Sequence, residues 1–119
     1  MAVTDAVSRV LSSALDGVSL RQSVIADNIA NVDTPHFTAS AVDFESALRS
    51  AVADGSMAAG QGGVAASRSA ESTPVGANGN NVDLRKETLA GVQAQYQYQI
   101  LSRAVSDRYE RIHESLSGA

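Results

Sequence analysis

The 119-residue sequence contains no cysteine. That single absence removes disulfides, thiol nucleophiles, cysteine-ligated zinc and iron–sulfur clusters together. Basic charge is also scarce, with 9 Lys and Arg against 13 Asp and Glu and a net charge of −4. With no short Lys/Arg-rich run either, no nucleic acid partner is expected. Apolar runs are too short to cross a bilayer, so no direct membrane insertion is expected. Met1-Ala2-Val3-Thr4-Asp5 has neither a basic region nor a continuous apolar stretch, so export, if any, is expected to proceed without a cleaved signal peptide. Large apolar side chains are short too. Of the 44% of residues that count as hydrophobic, 20 are alanine, and Leu, Ile, Val and Phe together supply only 27 of 119. That is just above the level at which chains stay disordered, and it implies one small domain with a thin core.

What is present divides into three segments: 1–33, 34–81 and 82–119. Residues 4–32 read as one amphipathic helix, capped at its start by Thr4 or Asp5. Val7, Leu11, Ala14, Val18 and Ile25 recur at steps of three and four, with Arg21 completing the pattern, which makes a coiled-coil-like seam. Gly17 reads as a weak point costing about 1 kcal/mol relative to Ala. The stop is better defined: Asn31 suits a left-handed helix end, and Pro35 pushes Thr34 out of helical geometry. Phe37 to Phe44 alternates weakly and suits a short extended piece, and a short helix is expected from about Asp43 to Ala53. Residues 55–80 hold six of the nine glycines and no Leu, Ile, Phe or Tyr. Such a segment is expected to be mobile in isolation. Asn78-Gly79-Asn80-Asn81 then leads through a turn to Asp83 as N-cap of a second long helix ending near Leu116. On it Leu89, Val92, Tyr96 and Ile100 form one apolar line, and Leu101, Val105, Ile112 and Leu116 an adjoining one. The expected fold is all-α: two long helices paired as an antiparallel hairpin around an irregular Gly/Ser/Ala-rich middle, too thin to cover both apolar stripes without other chains.

Chemistry finds little foothold. His36 reads as a turn residue and His113, three residues after Glu110, as helix-surface pairing; neither makes a metal site. Asp43 and Glu45 share a face only if extended, and paired carboxylates without a pocket are solvated charge. Gly60-Gln61-Gly62-Gly63 lacks the lysine and the strand-to-helix setting of a phosphate loop. No enzyme activity, metal or cofactor is expected. Asn28 stands out instead. A poor helix former one turn before the cap is best explained by a side chain that cross-links the backbone of neighbouring segments. The Tyr/Gln-rich stretch 93–99 reads as an interface.

The segment Asn28-Ile29-Ala30-Asn31-Val32-Asp33-Thr34-Pro35 resembles the signature of the axial proteins of the bacterial flagellum, with Phe37 at the aromatic position and His36 where that family usually has Gly. Leu20-Arg21-Gln22, Val42-Asp43-Phe44-Glu45 and Asn78 to Leu84 are similar to the proximal rod members of that family. The resemblance covers roughly 10–48 and 78–112. It implies a non-catalytic subunit exported unfolded through the flagellar type III secretion apparatus and polymerised into the hollow proximal rod in the periplasmic space. Implied partners are further copies of itself, the other proximal rod proteins, the rod adaptor and the MS-ring protein. Under it, Val7, Leu11, Val18, Ile25, Leu89, Val92, Tyr96, Leu101, Val105 and Ile112 form the seam within and between subunits. Asn28, Asn31, Thr34, Pro35 and Phe37 shape a turn engaging a neighbour. The alternatives are a neighbouring proximal rod protein and a helical export chaperone or adaptor.

Overall fold

A computed structural model describes residues 2–57 and 66–118. Two long helices dominate it: α1 (Ala2–Ala30) and α3 (Leu84–Ser117). Between them lie strand β1 (Ser40–Val42), helix α2 (Glu45–Ala53) and strand β2 (Arg68–Ala70), so the mostly helical expectation holds with one small sheet added. The side chains of 2–5, and with them the expected caps Thr4 and Asp5, lie outside the described residues, as do Gly60 to Gly63.

α3 starts where the sequence places it. Asp83 is extended (φ −103°, ψ 107°), and its carboxylate accepts the backbone N–H of Arg85 and Lys86 at 3.1 and 3.2 Å. Two donors that the first turn would leave unpaired are thereby satisfied. α1 ends at Ala30, two residues before the expected stop, because Asn31 turns its amide back to the Asp27 carbonyl (2.8 Å) while Thr34 Oγ1 donates to Asn31 Oδ1 (3.0 Å). Asn31 is not the left-handed residue of this turn. That conformation falls to His36, at φ 61°, the position at which the axial signature usually carries the glycine that adopts it without strain.

The helices pair antiparallel. On α1 the seam runs through Leu11, Ala14, Val18, Arg21, Ile25 and Asn28, all buried or half-buried, whereas Val7 is 39% exposed. On α3 it runs through Glu87, Ala90, Ala94, Gln97, Leu101, Ala104 and Arg108, again at steps of three and four. The apolar line Leu89, Val92, Tyr96 and Ile100 is not that seam. Ala90, Gly91 and Ala94 face α1 over this stretch, with Gly91 in ordinary contact range of Ile25, and the bulky side chains turn away. A second face of α1 carries the rest of the core. Phe44 lies so tightly over Gly17 that a Cβ there would come within 2.3 Å of the ring. Gly17 is the seat of an aromatic ring rather than a weak point.

β1 pairs antiparallel with β2 in the register Ser40↔Ala70, Ala41↔Ser69 and Val42↔Arg68. Residues 66–81, read from sequence as part of a mobile middle, thus form a strand and a return to α3. Arg21 ties these layers together: its guanidinium donates to both Glu45 oxygens, to the Val42 carbonyl (2.6 Å) and to Gln97 Oε1 (3.1 Å), and lies 4.9 Å from the Phe44 ring centroid.

Candidate subunit interface

Four asparagines hold together the two turns that flank the helices. Asn28 is fully buried. Its amide donates to the Ser40 carbonyl (2.8 Å) and to Glu87 Oε2 (3.1 Å), and its Oδ1 accepts the Ser40 N–H (3.0 Å). The expected cross-link is therefore present, from α1 to β1 and onward to α3. Asn80 donates to the carbonyls of Asn31 and Thr34, both at 2.8 Å, which fixes the Thr34-Pro35 turn from the other end of the chain. Asn81 does the same for the middle, accepting from Ala39 N (2.6 Å) and donating to the Glu71 and Thr73 carbonyls at 3.2 Å. Asn80 and Asn81 were legible only as turn formers, since nothing local says that their amides reach 46 and 42 residues back. Burying the three amides of Asn28, Asn80 and Asn81 with every group paired fixes one geometry for this junction.

Glu87 is the second feature that sequence reading missed. On a helix surface it reads as solvated charge, yet only 2% of it is exposed. Burial pushes its carboxyl above the ordinary Glu range, and the neighbouring Glu71 carboxyl raises it further, against the Asn28 amide and Lys86, which lower it. Lys86 Nζ bridges to Glu71 Oε2 at 3.3 Å and to Thr73 Oγ1 at 3.1 Å. The nearby Glu71 carboxyl thus works with burial to favour the protonated form of Glu87.

The outer surface is where large apolar side chains collect. Leu84, Leu89, Val92, Tyr96 and Ile100 are 47–68% exposed along one side of α3, with an open groove lined by Leu84, Arg85, Thr88, Leu89 and Val92. A further groove between the helices, lined by Leu11, Val105, Arg108, Tyr109 and Ile112, lies near the other end. The expected seam residues thus separate: Leu11, Val18, Ile25, Leu101 and Val105 are spent within the chain, while Val7, Leu89, Val92, Tyr96 and Ile112 remain open. Of the turn residues, Asn28 is buried, Asn31 and Phe37 are half-buried, and Thr34 and Pro35 are exposed. Among the described residues no group of three or more His, Cys, Asp or Glu is arranged to hold a metal ion, and no helix is long and apolar enough to cross a membrane.

The family model for flagella basal body rod proteins matches residues 9–38, most of α1 together with the Asn31–His36 turn. The flagellar basal body rod protein FlgB of Borreliella burgdorferi is 34% identical over 117 residues, covering 83% of this chain and 87% of that protein. The chain belongs to the flagellar basal body rod protein family. FlgB of Bacillus subtilis is 31% identical over 120 residues, with 91% of each chain covered. FlgB of Borrelia hermsii is 68% identical over 38 residues, 32% of this chain and 28% of that protein. The first two of these matches cover most of the chain, and neither a neighbouring rod protein nor an export chaperone gains support from them. A rod protein of this family is a structural subunit of the flagellar basal body.

Proposed function

We propose that this chain is a wall subunit of the proximal rod, joined to its neighbours through the outer face of α3 and the open ends of the helix pair. One observation carries the reading: the first half of α3 meets α1 through Ala90, Gly91 and Ala94 and leaves Leu89, Val92, Tyr96 and Ile100 outside. A monomer has no use for that distribution, and contiguous apolar patches mark interaction sites. A face that meets a different face on the next copy, without closing, builds a helical polymer. The rod-family membership supports further copies of this chain, the other proximal rod proteins, the rod adaptor and the MS-ring protein as partners. It also supports passage through the flagellar type III export apparatus to a periplasmic position without a cleaved signal. The work of such a subunit is mechanical and catalyses nothing.

The test replaces Leu89 and Ile100 together by Asp. Both are exposed, so the purified variant keeps wild-type helicity by circular dichroism, while cells carrying it assemble no rod and do not swim. Motile cells with intact rods would refute the α3 face as the contact.

A further inference from the structure

Asn78 and Gly79 form the only Asn-Gly pair in the sequence. In such a pair the following backbone nitrogen, with no side chain to shield it, can attack the Asn Cγ. Hydroxide takes the Gly79 amide proton, a bond forms from Gly79 N to Asn78 Cγ, the Cγ–Nδ2 bond breaks, and the departing nitrogen takes a proton from water and leaves as ammonia, which regenerates hydroxide. Water then opens the resulting five-membered imide at either carbonyl, giving aspartate or isoaspartate. The reaction needs Gly79 N–H free and the Asn78 side chain swung toward it. The folded turn denies both. Gly79 N donates to the Gly76 carbonyl (3.0 Å), Asn78 Oδ1 accepts from Asn80 N (3.2 Å), and the Asn78 carbonyl accepts from His36 N (3.0 Å). Gly79 is further held at φ 75° beneath the His36 ring, where an added Cβ would lie 2.5 Å from Nδ1.

We propose that Asn78 is a deamidation site gated by folding: it reacts in the open chain and is silenced, though still exposed, when the hydrogen bonds of the folded turn hold it and Gly79 in place. The product matters because of where it sits. Isoaspartate carries the main chain through the former side chain and so inserts one extra carbon immediately before Gly79. That displaces Asn80, whose amide holds the Asn31 and Thr34 carbonyls. A chain modified before folding cannot close the turn that the family signature encodes. Time spent unfolded is thereby recorded at one residue, and the record selects against damaged chains at the point where they would join a neighbour.

The full-length chain is incubated at mildly alkaline pH across a series running from guanidinium chloride to sodium sulfate. Sulfate favours the folded state and guanidinium the unfolded one. Helicity is followed by circular dichroism, and residue 78 by peptide mapping with mass spectrometry that separates Asn, Asp and isoAsp. Conversion is expected to be at least about tenfold faster in the unfolded chain, to fall in step with helix formation, and to spare Asn28, Asn31, Asn80 and Asn81. In Asn78→Gln the acidic product is expected to vanish. A conversion rate that ignores helicity, an amide that survives in guanidinium, or an acidic product that persists in Asn78→Gln would each overturn the proposal.

Discussion

Two single residues carry disproportionate weight in this thin core. At Gly17 a methyl group has nowhere to go, because the Phe44 ring that it meets is itself buried and held over α1 beside Arg21. Gly17→Ala, normally a helix-stabilising change, is expected to destabilise the chain by roughly 1–3 kcal/mol, read as a lower midpoint in urea with an unchanged slope. Glu87 gives the protein a pH dependence of unusual sign. Its carboxyl holds a proton more tightly folded than unfolded. The contribution is therefore complete below the ordinary Glu range and is lost as pH rises through the raised folded value. Glu71, Lys86 and Asn28 are the groups that face it, with Arg21 lining the same pocket. Glu87→Gln keeps a donor for Glu71 and an acceptor for Asn28 without the charge. Its melting temperature is expected to exceed wild type at neutral pH, with the difference closing in mild acid; a gap that widens in acid would contradict the assignment.

At the scale of elements, the long helices were legible because caps and periodicity are local. Asp83 announced α3, and the Asn31 to Pro35 turn announced the end of α1 to within two residues. Of the partner face of α3, Leu101 and Val105 were legible and the first half was not. Periodicity weighs side chains by hydrophobicity, and the true seam is written in Ala90, Gly91, Ala94 and a carboxyl, whose value lies in being small or in having a distant partner. The β1–β2 pairing was hidden for a related reason, since three-residue strands carry almost no pattern and are fixed by Asn28 and Asn81 from outside. Asn28 itself was readable as a cross-link because it violates helix propensity where nothing local rewards it. The junction gives a direct test at this scale. Asn80→Ala removes the side-chain donor from the Asn31 and Thr34 carbonyls, which keep only the backbone N–H of Thr34 and Phe37, and is expected to cost roughly 1 kcal/mol. The loss should appear in hydrogen exchange as early opening around the Thr34-Pro35 turn while the α1–α3 pair stays protected.

The whole molecule is 65 × 27 × 14 Å with a radius of gyration of 17.8 Å. A compact chain of this length would have a radius nearer 13–14 Å. So elongated a shape leaves much of each helix to be covered by something else, and the last nine residues of α3, 109–117, are all exposed. Stability is accordingly expected to depend on concentration. Helicity and melting temperature of the wild type should rise as larger species appear in size-exclusion chromatography with light scattering, and Leu89→Asp/Ile100→Asp should abolish that rise without altering the dilute monomer. The same dimensions carry a mechanical consequence. Resistance of a strip to flexure grows as the cube of its depth in the plane of bending, so a body 27 Å deep one way and 14 Å the other is several times more compliant flatwise than edgewise. An isolated chain is a leaf spring, weak in torsion, and a tube of such leaves bonded side by side would resist twist far better than any one of them.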